Sequence, residues 1–188
     1  MDSLPPAPGR LLVATPALED PNFHRTVVLM LAFGAEGALG VVLNRPNEVP
    51  VAAVLPGWEE LAAEPASMFV GGPVGRSSVI CLGQLRGSAP EGGPGCQPVA
   101  GQLATVDLNL SPGEVAPAVE TVRLFSGYSG WAGGQLEAEL EVGSWFVIDS
   151  QLDDAFGPEP VGLWRRVLLR QGGRLALYAN APPKLSLN

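Results

Sequence analysis

The stretch Gly127–Trp145, GYSGWAGGQLEAELEVGSW, concentrates glycines, aromatic residues and carboxylates that are spread thinly elsewhere in the chain. Leu136 and Leu140 lie four residues apart, which places them on one face of a helix and leaves the polar side chains between them on the others. The glycines that precede them allow a positive φ and a sharp turn into that helix. The stretch therefore predicts the end of a strand, a tight turn and a short helix over 133–142.

Towards the N-terminus, two apolar runs at 26–32 and 38–46 flank the glycine-bearing sequence FGAEG. This pattern predicts a β-hairpin with a turn of about five residues. Because both runs are apolar at successive positions, we expect each strand to be covered on both faces, at the centre of a sheet. A first strand is predicted over 11–14, and the prolines in 15–25 predict an irregular connection.

The rest of the chain mixes strand and helix patterns without a regular βα alternation, which favours an α+β fold. Up to residue 110, the sequence predicts at most two short helical pieces in 49–63, two strands around a tight GGP turn in 67–85, a mobile loop over 87–98 and a strand over 99–110. A short helix opened by the capping box Ser111–Glu114 is predicted next, with strands over 122–125 and 145–148. The last predictions are a helix with the apolar stripe Leu163, Trp164, Val167 and Leu168 and a strand over 174–178.

Composition narrows the classes of function. A chain of 188 residues with 46% hydrophobic residues suits one domain, placed at 10–180 between a loose arm at 1–9 and a tail at 181–188. The start has no basic segment followed by an apolar one, and the longest uncharged apolar run is too short to span a bilayer, so we expect a cytosolic protein without a membrane segment.

The cysteines and the net charge argue against two further classes. Cys81 and Cys96 lack CxxC spacing, so we expect two free thiols, no metal site and no cofactor. The net charge of −8, with scattered arginines, argues against binding to nucleic acid or to anionic lipid.

Several separated segments carry a family resemblance: LLVATPALEDPNFHRTVVLML at 11–31, GALGVVLNRP at 37–46, FVGGPV at 69–74, LFSGYSGWAGGQLEAEL at 124–140, and LWRRVL at 163–168 with the later GGRLALYANAP. Together they resemble the AlgH/YqgE family of bacterial proteins over nearly the whole chain. The resemblance implies an α+β fold with a compact, mixed, partly barrel-like β-sheet flanked by short helices. It implies no agreed activity, although some members are labelled transcriptional regulators. Cys81-Leu82-Gly83 departs from the family, where a histidine is expected near the end of this strand.

Two arginines adjoin the ends of the predicted hairpin. Arg25 precedes the first strand and Arg45 follows the second, so an antiparallel arrangement places them at the same end, with Asp20 and Asn44 nearby. Two guanidinium groups there could clamp a carboxylate or phosphate through forked hydrogen bonds. The structural alternative is that Asp20, or a glutamate of the predicted helix, pairs with them and holds the loops in place.

The predicted helix contributes a carboxylate beside its apolar face. At 100° per residue, Glu139 lies next to Leu136 and Leu140, whereas Glu137 lies on the far side and can supply negative charge to the first turn. Glu139 is therefore expected to be half-buried, where it could act as a general acid or base, or tie down backbone or an arginine. Asp20 is the other acid-base candidate, and no partner nucleophile is identified for either.

Other motifs favour structural roles. The GGPV sequence at 71–74 lacks the Lys and Ser/Thr of a phosphate-binding loop and does not precede a helix. His24 is the only histidine, and Ser129 lacks the GxSxG context of a nucleophile. Tyr128, Trp131 and Trp145 have the large apolar area of core or interface anchors.

These observations lead to three hypotheses. The first is a cytosolic, non-catalytic binding or regulatory protein of the AlgH/YqgE type whose partner is another protein or a small anionic ligand. The second is a hydrolase acting on a small anionic metabolite, and the third a DNA-binding regulator. The proposed binding surface, in which the arginines face the helix carboxylates, comprises Asp20, Phe23, Arg25, Asn44, Arg45, Pro46, Gly71, Gly72, Pro73, Tyr128, Trp131, Gln135, Glu137 and Glu139.

Overall fold

The computed structural model describes residues 4–87 and 93–182. Within those two ranges the chain forms ten strands and six short helices. The strands are β1 (Arg10–Ala14), β2 (Val27–Gly34), β3 (Gly37–Val42), β4 (Pro46–Pro50), β5 (Ser67–Val70), β6 (Val74–Leu85), β7 (Cys96–Ala100), β8 (Leu103–Val106), β9 (Val119–Ala132) and β10 (Trp145–Asp149). The helices are α1 (Val51–Val54), α2 (Pro112–Val115), α3 (Gln135–Glu141), α4 (Leu152–Phe156), α5 (Leu163–Gln171) and α6 (Gly173–Tyr178).

One curled sheet dominates the fold, in the order β10-β1-β2-β3-β9-β6-β8-β7, with β5 attached to β9 and β4 to β5. It forms a half-barrel that the six short helices flank, which confirms the predicted α+β class with a partly barrel-like sheet. Within the described residues, β10 and β7 do not pair with each other, so each lies at an open edge of the sheet.

The predicted hairpin of β2 and β3 is confirmed at the centre of one half of the sheet. β2 pairs with both β1 and β3, and its residues from Val27 to Leu31 are buried, as expected for a strand covered on both faces. The turn is shorter than predicted, because the strands extend to Gly34 and Gly37 and leave only two residues between them.

The long strand β9 joins the two halves of the sheet, and here the prediction was wrong. GYSGW does not form a turn after a four-residue strand; it is the second half of the 14-residue strand β9. The segment alternates between buried and more exposed residues up to Ala132, a period-2 signal that the glycines obscured. Its first half pairs with β6 and its second half with β3.

The GGPV segment is a crossover rather than a tight turn between paired strands. β5 lies parallel to β9 on one side, and β6 lies antiparallel to β9 on the other. The chain therefore crosses β9 at 71–73. A Cβ atom on Gly71 would lie 2.3 Å from the carbonyl oxygen of Gly127, and one on Gly72 would lie 2.2 Å from that of Tyr128. The two glycines are explained by this close approach of two backbones.

Several smaller predictions are confirmed and others corrected. The capping box at Ser111 and Glu114 opens α2, and the predicted apolar stripe is the buried face of α5. One helical piece, α1, forms in 49–63, which agrees with the predicted maximum of two. The strand predicted over 99–110 is divided between the end of β7 and β8, and α4 was not predicted. The last predicted strand, 174–178, is the helix α6.

The two ends of the described chain lie against the sheet. Gly9, in the segment expected to be a loose arm, donates its amide to the carbonyl of Met30 and accepts the hydroxyl of Ser150. The loop predicted over 87–98 falls partly outside the described residues, and the part inside them includes β7. None of the described helices has both the length and the apolar character needed to span a bilayer.

Candidate functional site

The connection 15–25 is folded on itself by its own polar groups. Asp20 accepts the amide of Asn22 through its carboxylate, and its carbonyl accepts the amides of Phe23 and His24. Arg25 adopts a positive φ of 55°. These local bonds turn the ring of Phe23 towards the sheet, where it stacks on Trp131 with the ring centroids 6.0 Å apart.

Arg25 and Arg45 lie at the same end of the hairpin, as predicted, and each has partners within the protein. Arg45 donates to the carbonyl of His24 at 3.1 Å and to that of Pro21 at 3.3 Å. Arg25 donates to the carbonyl of Ala181, and its guanidinium carbon lies 4.7 Å from the ring centroid of Trp164. Both side chains therefore fasten loops through backbone carbonyls. Neither takes part in an ion pair found in the described residues.

Asn44 completes this end of the hairpin. Its side-chain amide donates to the carbonyl of Arg25 at 2.9 Å, and its side-chain oxygen accepts the amide of Val27 at 3.0 Å. These two bonds satisfy one backbone group just before β2 and one at its first residue. Asn44 thus links the 15–25 connection to the strand that follows it.

Glu139 joins two indole rings, and this contact was not predicted. One carboxylate oxygen accepts the indole N–H of Trp131 at 2.9 Å and that of Trp145 at 2.8 Å, and the other accepts the side-chain amide of Gln135 at 3.1 Å. The expected half-burial of Glu139 and exposure of Glu137 are both observed. The 15–25 connection therefore meets α3 through the ring of Phe23, which packs on both indoles, and not through an arginine–glutamate pair.

The other members of the predicted surface lie on the strands and the crossover around it. Gly71 accepts the hydroxyl of Ser129 at 3.1 Å and the amide of Val42 at 2.9 Å. Pro46 begins β4, Gly72 is buried, and Pro73 and Tyr128 are half-buried. Most polar groups of the predicted surface thus have partners inside the protein. Three cavities of about 700, 450 and 490 Å³ are lined by other residues and not by Arg25, Arg45 or Glu139.

A cavity of about 700 Å³ lies elsewhere, along β10 and against α5 and α6. Its apolar wall includes Phe146 and Tyr178, whose rings stack with centroids 5.6 Å apart, together with Leu175. Sequence reasoning missed this cavity because the segment that carries Leu175 and Tyr178 was predicted to be a strand. As a helix, it places these residues three positions apart on one face, towards β10.

The charged groups of this cavity differ in their partners. Arg170 forms a two-point ion pair with the buried carboxylate of Asp154, with the second contact at 2.7 Å, and also donates to the carbonyl of Asp149. The carboxylate of Asp149 pairs with Arg10 at 3.1 Å. Arg174 lines the cavity and makes no hydrogen bond or ion pair with any residue in the described ranges. Among the described residues, Arg174 is therefore the one positive charge of the cavity without a partner, and it lies beside an aromatic wall.

Arg123 on β9 is a buried arginine that sequence reasoning did not single out. Its side chain is 2% exposed, and one terminal nitrogen donates to the carbonyls of Glu64 and Gly157 at 2.9 and 3.2 Å. Its Nε and second terminal nitrogen have no partner among the described atoms. Its guanidinium carbon lies 4.2 Å from the ring centroid of Phe69. Burial lowers the pKa of Arg123 to about 10, and the charge of Glu64 opposes part of that shift.

The two cysteines are free and buried in the other half of the sheet. Both pair in register with Val106, Cys81 from β6 on one side of β8 and Cys96 from β7 on the other. Two strands separated by a third lie roughly 10 Å apart, beyond the reach of a disulfide. Burial raises the pKa of both thiols. In residues 4–87 and 93–182, no group of three or more His, Cys, Asp or Glu side chains is placed to hold a metal ion.

Comparisons with known proteins agree with this architecture. The family model described as AlgH-like matches residues 11–176. A UPF0301 protein from Streptomyces avermitilis is 50% identical over 182 residues, covering 96% of this chain and 94% of that protein. A UPF0301 protein from Mycobacterium tuberculosis is 48% identical over 181 residues, with 96% and 90% covered.

Two solved structures share the fold. A crystal structure of a Corynebacterium diphtheriae protein has a TM-score of 0.91 at 35% identity, and the match covers 96% of this chain and 95% of that one. The solution structure of the AlgH protein from Pseudomonas aeruginosa has a TM-score of 0.65 at 27% identity, with 97% and 98% covered.

Proposed function

The chain belongs to the AlgH-like family, and from this premise we propose that it is a cytosolic, non-catalytic binding protein whose ligand occupies the cavity beside β10. The observation that carries the proposal is the combination, in one cavity of about 700 Å³, of an aromatic wall and an arginine without a partner in the described residues. Small-molecule sites typically have volumes of roughly 300–1,000 Å³ and join apolar walls to a few polar groups.

The charges of the cavity favour a ligand with one anionic group. Arg170 and Asp154 neutralise each other, as do Arg10 and Asp149. Arg174 is left as the cation that can pair with a carboxylate, sulfonate or phosphate, and a guanidinium binds such groups through two parallel hydrogen bonds. Because Phe146 and Tyr178 form the neighbouring wall, the rest of the ligand should be apolar.

The contacts of the predicted acid-base candidates support binding over the hydrolase alternative. Glu139 accepts hydrogen bonds from two indoles and one amide, and Asp20 caps its own turn. The guanidinium groups of Arg25 and Arg45 hold backbone carbonyls. We therefore propose that Glu139, Asp20, Arg25 and Arg45 stabilise the half of the sheet that carries β10. The ligand binds in the cavity beside β10, which these four residues do not line.

A fluorescent anion tests this proposal. The probe 1-anilinonaphthalene-8-sulfonate joins aromatic rings to a sulfonate, and its emission rises when it leaves water. We expect one probe molecule to bind per chain, and its Kd to rise at least fivefold in Arg174→Gln and in Tyr178→Ala. Arg76→Gln is the matched control, because it removes the same charge from an exposed position on β6, away from the cavity.

Near-ultraviolet circular dichroism of each variant separates a site effect from loosened packing, because the probe also binds partly unfolded chains. Equal affinity in the parent and in all three variants, or no saturable binding to the natively packed parent, would refute the proposed site.

A further inference from the structure

The edge of β10 that does not face β1 carries backbone groups that have no partner in residues 4–87 and 93–182. Thr15 donates its amide to the carbonyl of Ser144 at 3.0 Å, which shows that the backbone of Ser144 points towards β1. In an antiparallel pair the inward-pointing residues alternate, so Phe146 and Ile148 also point towards β1, and Trp145, Val147 and Asp149 point away from it. No residue in the described ranges pairs with the outward amide or carbonyl of Val147.

This open edge forms one side of the ligand cavity. Six consecutive residues, 146–151, line it, which means that the cavity follows the strand rather than touching one face of it. Leu175 and Tyr178 of α6 form the opposite wall, and Leu4 of the N-terminal segment also lines the cavity. The result is a groove along a strand edge, bounded by apolar side chains.

The charged residues give the groove a direction. Arg170 donates to the carbonyl of Asp149, so the end of α5 lies at the C-terminal end of β10. The ring of Tyr178 stacks on Phe146, so the end of α6 lies towards the start of β10. Arg174 comes between Arg170 and Tyr178 in the chain and also lines the groove. An anionic group held by Arg174 therefore lies nearer the Asp149 end than the rest of its ligand.

We propose that this groove binds the C-terminal end of an extended peptide, which adds to the sheet as a strand parallel to β10. The peptide's backbone pairs with the outward amide and carbonyl of Val147, its terminal carboxylate pairs with Arg174, and every second side chain packs against Leu175 and Tyr178. This inference rests on the proposed function and specifies the class of ligand. Charge complementarity supports it, because Arg174 lines the groove and has no hydrogen-bond or ion-pair partner among the described residues.

The walls of the groove favour a peptide over a second copy of this chain. Pairing between two β10 edges needs the strands to approach to roughly 4.8 Å. In this protein α6 stands beside β10, with the Tyr178 ring 5.6 Å from that of Phe146, and a second copy would bring its own α6 to the same place. A single extended segment brings no second α6 and can lie along the outward side of Val147.

A synthetic strand tests the inference. The probe is a six-residue peptide of alternating valine and threonine with a fluorophore at its amino end and a free carboxyl end, and binding is followed by fluorescence anisotropy. We expect the C-terminal amide of this peptide to bind at least tenfold more weakly, and Arg174→Gln to weaken the free acid to the same extent. The two losses should not add, because both remove the same ion pair; Arg76→Gln is again the control.

Backbone methylation identifies strand addition itself. N-methylation of one alternating set of residues removes the donors that face β10, and N-methylation of the other set removes only donors that face solvent. We expect the first set to weaken binding at least tenfold and the second less than twofold. Equal effects of the two sets would overturn strand addition.

The two proposals fail differently. If the sulfonate probe binds in an Arg174-dependent manner and the peptide does not bind, the ligand cavity stands and the peptide inference is wrong. If neither probe binds, both are wrong. A concentration-dependent dimer in sedimentation experiments that Val147→Pro abolishes while near-ultraviolet circular dichroism is unchanged would assign the edge to a second copy and would also overturn the peptide inference.

Discussion

The clearest energetic test of the structure is the removal of the Glu139 carboxylate. One of its oxygens accepts both indole N–H groups, and Trp131 and Trp145 are only 5% and 3% exposed. Glu139→Ala leaves both donors without a partner, at a cost of roughly 1–3 kcal/mol each. Since Glu139 is half-buried and water can reach part of the gap, we expect a total loss of about 3 kcal/mol. For a chain of this size, that lowers Tm by roughly 6–12 °C.

Two matched variants control for effects of helix propensity and charge. Glu137→Ala changes the same residue type on the same helix at an exposed position, and we expect it to alter the free energy of unfolding by less than about 0.5 kcal/mol. Glu139→Gln keeps an oxygen for the indoles but turns an amide donor towards Gln135, so a loss of about 1 kcal/mol is expected. Urea denaturation followed by far-ultraviolet circular dichroism measures all three. Equal stability of Glu139→Ala and Glu137→Ala would refute the indole–carboxylate account.

Two further predictions concern buried groups. Burial lowers the pKa of Arg123 in the folded protein to about 10, below that of the free side chain. The unfolded chain therefore holds this proton more tightly, and stability should rise with pH above 10. Relative to Arg123→Met, the parent should gain roughly 1 kcal/mol in urea denaturation between pH 9.5 and 11, and a constant difference would contradict the buried charge. Cys81 and Cys96 should stay reduced after air oxidation, and they should react with a thiol reagent at least a hundredfold more slowly in the native protein than in guanidinium. Rapid labelling of the native protein would contradict the burial of the thiols, and a disulfide would contradict the separation of β6 and β7 by β8.

The sequence predicted those parts of the fold whose signals are local. The β2–β3 hairpin follows from two continuous apolar runs, α2 from the capping box at Ser111, and α5 from an apolar stripe that ends at Gly172. In each case the residues that determine the element lie close to one another in the sequence. Such patterns depend little on what packs against them.

The long strand β9 and the crossover at 71–73 could not be predicted in this way. Glycine is permissive both in turns and where two backbones approach, and only the three-dimensional contact of Gly71 with Gly127 distinguishes the two uses. Similarly, the residues from Arg174 to Tyr178 alternate as in a strand, yet also place Leu175 and Tyr178 on one helical face. The segment fits both the strand period of two and the helix period of about 3.6, and in the folded protein, where it packs against the sheet, it is a helix.

The candidate site shows the same limit. The residues around the hairpin were correctly placed together, and Asn44, Arg25 and Arg45 do share one end of it. The sequence left open whether the two guanidinium groups bind an anion or hold loops, and it does not show that nearby backbone carbonyls accept their hydrogen bonds. The β10 cavity depends on helix α6 and on the open edge of β10, and neither is visible in a local pattern.

The pairing of β1 with β10 affects how the chain can fold during its synthesis. Arg10 pairs in register with Asp149, so the chain must be synthesised through Asp149 before this pair can form. Until then, a nascent unit of β1, β2 and β3 has free edges where β10 and β9 will later bind. Closing such a long loop is slow, and uncovered edges can pair with other chains. The topology therefore makes the synthesis of β10 the step that allows the edge of β1 to be covered.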